Sequence, residues 1–435
     1  MARRKWFLLV SMMVAVTFSA VAGGQSEKGP VTIKVMGWEP GGAEAWNKVV
    51  SMFEQKYPNI HVELEVVPIQ GYFPVEGAHI AGQSGPDIMG NNCGFETWDR
   101  RAAYVDLNTY MTPALKNSVL DTNSDHLAFN PKLPMYGVSF SYQGNVMYYN
   151  KAILKEAGLD PNNPPKTWSE FAKAADAVKS IGKAPIGVGV GGTVAYWIFP
   201  EIAKNFWTSD QQIQDFAMGK IHWNDPVLAD TLKYMAQMAQ NGWFQKGAAT
   251  INMQPDGFNV FLRGQAAFTP SIISDAFDWK DADNALGAQN VGAMLWPSIR
   301  PDAPFARKFS GVPGSEWGIT KWSAHKKEAW EFLQFIISPE ASSVWLSAGE
   351  QPLSTKFDAA TSPFSNSPAF MQIQQIIRNP MVHTGVLTSS READELSRGY
   401  QQVMEGQLTV AQWIDAMNKA QAESPLKNPN NPIWH

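Results

Sequence analysis

Tyr148-Tyr149-Asn150-Lys151-Ala152-Ile153-Leu154-Lys155-Glu156-Ala157-Gly158-Leu159, followed by Thr167-Trp168-Ser169-Glu170, sets the architecture of this chain. Val146, Met147, Tyr148 and Tyr149 are strand formers. Lys151 to Ala157 favour a helix, and Gly158 stands where a left-handed residue ends one. Pro161, Pro164 and Pro165 forbid its continuation. Thr167 then caps a second helix, with Glu170 completing a capping box. A strand followed by two short helices is the grammar of an α/β fold, and its neighbours extend the pattern. Val31 to Met36 alternates as a strand. Ala43 to Tyr57 carries Trp46, Val49, Val50 and Phe53 on one helical stripe, and Pro58 ends it. Ile60, Val62, Leu64 and Val66 alternate with His61, Glu63 and Glu65, a half-buried strand. The result is a β-α-β unit with a right-handed crossover.

Further along, Ser84 to Met89 reads as a turn into a short strand, and Asp106-Leu107 leads into a helix around Tyr110. Pro185 to Val190 reads as a buried strand, and Tyr196 to Trp207 as an aromatic-rich helix. Asp225 to Asn241 is a helix, Gly264 a tight turn into a strand, and Ser310 to Ile319 a Gly-interrupted strand. Helices follow at Lys326–Ile337, Pro339–Ser347, Phe370–Ile377, Arg391–Glu405 and Val410–Ala422. Asp278, Asp281 and Asp283 lack the Gly and Glu of a calcium loop and read as a solvated turn.

At 435 residues the chain is too long for one core and suits two or three lobes. Residues 1–22 stand apart. Arg3, Arg4 and Lys5 precede an apolar run, Trp6 to Phe18, and Ala20-Val21-Ala22 is a small-residue cleavage signal. This reads as a secretory signal peptide, with residues 23–30 as a linker. No cysteine lies at the cleavage site, so the lipoprotein variant is not expected. Without residues 1–22 the chain carries 32 Lys+Arg against 40 Asp+Glu, a balance that disfavours nucleic acid as a partner. One cysteine, Cys93, rules out an internal disulfide and reads as a small buried hydrophobe. There is no H-E-x-x-H, no Cys-x-x-Cys and no Walker loop, and the seven histidines are scattered, so neither metal nor cofactor is expected.

The Tyr148–Glu170 segment resembles the extracellular solute-binding proteins of ABC importers, the group that includes maltose-binding and glycerol-phosphate-binding proteins. Four further segments resemble that family in the same order. They are Gly82-Gln83-Ser84-Gly85-Pro86-Asp87-Ile88, Phe261-Leu262-Arg263-Gly264-Gln265-Ala266-Ala267-Phe268, Gly318-Ile319 with the helix of Ser323 to Ile337, and Gly349-Glu350-Gln351-Pro352-Leu353. The resemblance implies a two-lobed α/β fold of the type II periplasmic-binding-protein kind. Residues 31–141 and 315–356 would form the N-terminal lobe, and 142–314 and 357–435 the C-terminal lobe. The chain would cross between them near Tyr142, Ser315 and Lys356. The ligand cleft lies between the lobes, and hinge closure is what the transporter recognises.

Cleft residues on that reading are Trp38 and Glu39 after the first strand, and Asn91 and Asn92 after the Asp87 turn. Tyr142 and Gln143 stand at the crossing, Tyr196 and Trp197 in the aromatic stretch, and Ser271, Ser274 and Asp275 after the Ala266 strand. Gly311, Glu316 and Trp317 bracket the second crossing, and Arg391 opens a late helix. Amides and carboxylates that serve hydroxyls, with Trp and Tyr faces for C–H surfaces, suit a carbohydrate. Trp46, Trp168, Trp330 and Trp345 read as core. The family's sugar-binding members commonly place a Trp soon after the Gly-x-Ala-Ala strand, whereas here the first is Trp279. A monomeric periplasmic binding protein serving an inner-membrane ABC permease is therefore the expectation, with no catalysis. A secreted carbohydrate-active enzyme, a binder of a glycerol phosphodiester and a chemosensory receptor are the alternatives.

Overall fold

A computed structural model describes residues 29–38, 42–118, 133–192, 194–274, 279–352, 359–431 and 434. The signal segment, Glu39, Asp275, Asp278, Leu353 and the Lys356 crossing lie outside the described residues.

Two sheets organise the chain. The first holds β1 (Val31–Gly37), β2 (Ile60–Val66), β3 (Ile88–Asn91), β4 (Val138–Ser139) and β10 (Glu316–Ile319) in the order β2-β1-β3-β10-β4. The first three run parallel, and β10 is antiparallel to both neighbours. In β2, Ile60 and Val62 are buried while His61 and Glu63 face solvent, as the alternation requires. The helices Ala43–Lys56, Lys326–Ile336 and Pro339–Ala348 cover this sheet with Trp46, Phe53, Phe332 and Trp345.

The second sheet is built on β5 (Tyr142–Asn150), buried along its whole length. Its other strands are β6 (Ala184–Ile186), β7 (Ala266–Ile272), β8 (Val291–Met294), β9 (Phe309–Pro313) and β11 (Pro380–Val382). The order is β11-β9-β5-β7-β6, with β8 also on β5. Tyr142 to Gly144 pair with β9, and the rest of β5 with β7 and β8, so one long strand ties three partners together. The opening motif behaves as its residues dictate. Asn150 ends β5 and its side chain accepts from the N–H groups of Ala152 and Ile153, starting the helix Lys151–Glu156. Gly158 has φ +76° just past that helix. Thr167 and Glu170 form the reciprocal capping box of the helix Trp168–Ser180.

Some expectations are corrected. Ser310 to Ile319 is two strands, not one. β9 and β10 belong to different sheets, because the chain passes between sheets at Gly314 and Ser315. The region around Tyr110 is a single turn, Leu107–Thr109, and a four-residue helix, Pro113–Lys116. Asp281 and Asp283 lie on a helix, Trp279–Leu286, which is anchored by Trp279 against Phe364 and Phe370. The strand expected over Pro185 to Val190 is only three residues long. Beyond Ile186 the backbone instead approaches Ile251 and Asn252, where Gly189 leaves no room for a Cβ.

Three connections between the sheets are stitched to one another. Gly314 N donates to Ser141 O at 2.8 Å and Tyr142 N to Gln351 O at 2.7 Å. Ser274 Oγ donates to Glu350 Oε2 at 2.6 Å and accepts from Gln351 N at 2.7 Å. Among the described residues no helix is long and apolar enough to cross a membrane.

Candidate functional site in the seam between the two sheets

The strand ends of the first sheet and the opposing parts of the second meet in a seam. On the first side, Gly37 and Gly90 let the Trp317 indole lie flat on the sheet, since a Cβ on Gly37 would stand 2.1 Å from it. Trp317 is 2% exposed and 4.7 Å from Trp46 by ring centroids, which makes it part of the core of the first lobe. Half-buried Trp38 packs on that core, 4.9 Å from Tyr72 and 6.4 Å from Trp317.

Beside these rings runs a polar wall. Asn91 Nδ2 donates to Glu76 Oε1 at 2.8 Å, and Tyr104 OH donates to the same oxygen at 2.7 Å. Arg100 Nε meets Glu76 Oε2 at 3.0 Å, and its guanidinium lies 4.9 Å from the Phe73 ring. Asn92 Nδ2 donates to Glu96 Oε2 at 2.7 Å, and Thr97 Oγ1 to Glu316 Oε2 at 3.0 Å. Burial raises the pKa of both Glu76 and Glu96, while Arg100 pulls Glu76 back and the Asn92 amide pulls Glu96 back.

The second side supplies Tyr196 and Trp197 from the helix Val194–Ala203. Their rings are 5.9 Å apart and nearly perpendicular. His383 lies 5.6 Å from Tyr196 and 6.2 Å from Trp197. Asn145 Nδ2 donates to Trp197 O at 2.7 Å and contacts His383 Nε2 at 2.9 Å, fixing both. Burial holds His383 down at about pH 3, against a bond to its own backbone, with Lys204 adding repulsion. Burial also raises the Tyr196 hydroxyl, and Cys93, Glu96 and Glu316 across the seam raise it further. Trp197 Nε1 is buried without a protein acceptor. Behind this wall Lys204 and Glu201 form a fully buried ion pair at 2.5 Å.

The expected residues therefore fall into groups. Trp38, Asn91, Asn92 and Glu316 line or support the first wall, and Tyr196 and Trp197 the second. Tyr142, Gln143, Ser274 and Gly311 belong to the connections and to β5–β9 pairing. The Tyr142 ring covers Gly311, where a Cβ would stand 2.0 Å from its hydroxyl. Ser271 is paired with Val146 inside the second sheet. Trp317 is core, and Arg391 is exposed and paired with Glu423 at 2.9 Å. Glu76, Glu96, Arg100, Asn145 and His383 were not singled out from sequence. The only local signal among them is the four-residue spacing of Glu96 and Arg100. Among the described residues no three His, Cys, Asp or Glu side chains converge as a metal set.

Comparison with known proteins accords with this geometry. The family model described as bacterial extracellular solute-binding protein matches residues 38–342. A multiple sugar-binding protein of Streptococcus mutans is 21% identical over 386 residues, covering 81% of this chain and 84% of that protein. The sn-glycerol-3-phosphate-binding periplasmic protein UgpB of Brucella abortus is 34% identical over 137 residues, but this spans only 30% of either chain. Among solved structures, a chitin oligosaccharide binding protein superposes with a TM-score of 0.75 at 21% identity, covering 91% of this chain and 98% of that one. That likeness concerns the fold, which is the two-lobed type II α/β fold with its cleft between the lobes.

Proposed function

The chain belongs to the bacterial extracellular solute-binding proteins, and from that premise we propose that it captures a carbohydrate in the seam between its lobes and delivers it to an ABC-type permease. One observation carries the choice of ligand. Tyr196, beside Trp197 with its unpartnered indole N–H, lies close enough to Glu96 and Glu316 for their charges to raise its hydroxyl. Flat rings serve the C–H faces of a sugar, and carboxylates and amides serve its hydroxyls. The Arg100 guanidinium on the first wall is already engaged by Glu76, so among the described residues of this wall an anionic ligand would meet carboxylates rather than an unpaired guanidinium. This favours a neutral saccharide, and we propose an oligosaccharide.

The partial likeness to a glycerol-3-phosphate binder supports a second reading, a phosphodiester ligand. The acidic wall argues against it. We further propose an exported, monomeric protein, cleaved after Ala22, that performs no chemistry on its ligand. The lobes are residues 31–141 with 315–356, and 142–314 with 357–435. The test is a thermal-shift panel of neutral oligosaccharides, sugar acids and glycerol phosphodiesters. A neutral oligosaccharide at 100 times its Kd should stabilise the folded state by about 2.7 kcal/mol. Silence across all saccharides sinks the carbohydrate reading, and a response to phosphodiesters alone replaces it.

A further inference from the structure

Glu76 is fully buried on the helix Ile69–Gly82, where a carboxylate is costly unless it is paired. It is held by donors. Asn91 Nδ2 and Tyr104 OH donate to Oε1 at 2.8 Å and 2.7 Å, and Arg100 Nε stands 3.0 Å from Oε2. That set suits the ionised form, which can only accept. Arg100 is engaged a second time by Glu96, whose main-chain carbonyl accepts from Nη1 at 2.9 Å and whose Oε2 lies 3.9 Å from the same nitrogen. Unlike Glu76, both reach solvent, with side chains 22% exposed for Arg100 and 23% for Glu96. The guanidinium lies over the Phe73 ring, and that ring is 6.1 Å from Trp38. Glu96 is close enough to Tyr196 to raise its hydroxyl. Arg100 and Glu96 thus sit where the Trp38 side of the first wall comes near Tyr196 of the second.

An arginine on a solute-binding wall is the side chain best built to take a carboxylate or a phosphate, through its planar fork of N–H groups. Here one guanidinium answers to two carboxylates, which leaves the cluster with negative charge in excess. A buried ion pair is at best near break-even for stability against apolar side chains of the same volume, so stability alone does not account for Glu76. We infer that Glu76 is a specificity-determining residue, which by holding Arg100 from the buried side bars anionic solutes from the first wall and keeps that wall selective for neutral saccharides. The inference rests on the proposed capture of a carbohydrate in the seam and adds to it the residue that enforces the charge of the ligand. Glu76 is too deeply buried to touch solute, so it is a positioning residue that acts through Arg100.

Glu76→Gln removes the charge and keeps the shape. Its Oε1 still accepts from Asn91 and Tyr104, while its amide N–H groups are set against Arg100 and release the guanidinium. The probes are glucuronate and glycerol 3-phosphate, titrated calorimetrically into the full-length protein at low and at high salt. Glu76→Gln should bind at least one of them about tenfold more tightly than wild type does, and the gain should shrink at high salt. Glu76→Gln/Arg100→Gln should lose the gain. Tyr104→Phe, which deletes a hydrogen bond to Glu76 and no charge, should lower the melting temperature and leave anion affinity at the wild-type level. Wild-type anion affinity in folded Glu76→Gln overturns the inference. An equal gain in Tyr104→Phe, a gain that ignores salt, or a gain that survives Arg100→Gln does the same. If Glu76→Gln does not fold, Glu76→Asp takes its place, because it keeps the charge and draws the carboxylate back from Arg100. It should show a smaller gain in the same direction, and none overturns the inference. A silent saccharide panel on wild type strikes the carbohydrate reading and leaves the anion measurement standing. A panel that answers to neutral sugars, with no anion gain in the variants, strikes this inference alone.

Discussion

At Asn145 one amide nitrogen serves two acceptors, Trp197 O at 2.7 Å and His383 Nε2 at 2.9 Å. The carbonyl can only accept, so the nitrogen is the donor, and Nε2 of His383 must keep its lone pair. Protonated His383 would set N–H against N–H in a buried site, which adds to the burial that already holds its pKa at about 3. The folded value lies below the ordinary 6.5, so this contribution to stability is full above pH 6.5 and is lost as the pH falls through about 3. At about 1.4 kcal/mol per unit the loss reaches several kcal/mol. In denaturant melts, wild type should lose stability between pH 6.5 and 4 faster than His383→Asn, and parallel pH profiles would refute the assignment. The tryptophans separate by the same reasoning. Trp317→Ala empties a site packed by Trp46, Gly37 and Gly90 and should cost about 3–5 kcal/mol. Trp197→Ala should cost less stability in the melt and act on solute affinity instead. Tyr196 and Trp197 could be chosen as candidates from sequence because they fall in an aromatic stretch before Pro200. Glu76, Asn145 and His383 could not, because only tertiary contacts reveal that each is a buried partner of another side chain.

Among the elements, the two caps of the opening motif differ in depth. Asn150 is 4% exposed and holds two N–H groups at the end of the central strand, whereas Thr167 is more open to solvent. Losing a cap costs about 1 kcal/mol, and an orphaned buried N–H adds its desolvation cost. Asn150→Ala should therefore lower stability by about 2 kcal/mol and Thr167→Ala by about 1, as read by chemical denaturation. Equal losses would mean that the burial difference has no energetic weight. This motif could be read from sequence because every step in it is local. The helix Ile69–Gly82 could not, since Gly71, Pro74 and Gly77 all disfavour it. It is held from outside, by Tyr72 OH on Gly90 O at 2.6 Å and by Glu76 on Asn91, Tyr104 and Arg100. The change of sheet between β9 and β10 was placed near Ser315 by the family resemblance, whereas the residues of Ser310 to Ile319 by themselves read as one Gly-interrupted strand, because only pairing partners show where it divides.

For the molecule as a whole, affinity depends on how the two lobes are set relative to each other as well as on the residues that touch the solute. The connections at Ser141, Gly314 and Gln351, bonded to one another where the chain passes between the sheets, are where a substitution should change that setting. Gly314 N bonds Ser141 O, and a Cβ at position 314 would stand 2.4 Å from Ser141 Oγ, with the Gln143 side chain 3.3 Å away. A contact that short cannot be kept, so Gly314→Ala must push the first two connections apart or rotate Ser141 away. Neither sheet's core is touched, because the residue lies between β9 and β10. The expected result is a melting temperature close to wild type together with an altered radius of gyration and a changed affinity for whichever saccharide stabilises the wild type. Ser141→Gly should restore both in the double variant, since it removes the atom that is struck. If Gly314→Ala instead lowers the melting temperature as much as Trp317→Ala does, or if Ser141→Gly rescues nothing, the connection is ordinary core and the lobes are not set there.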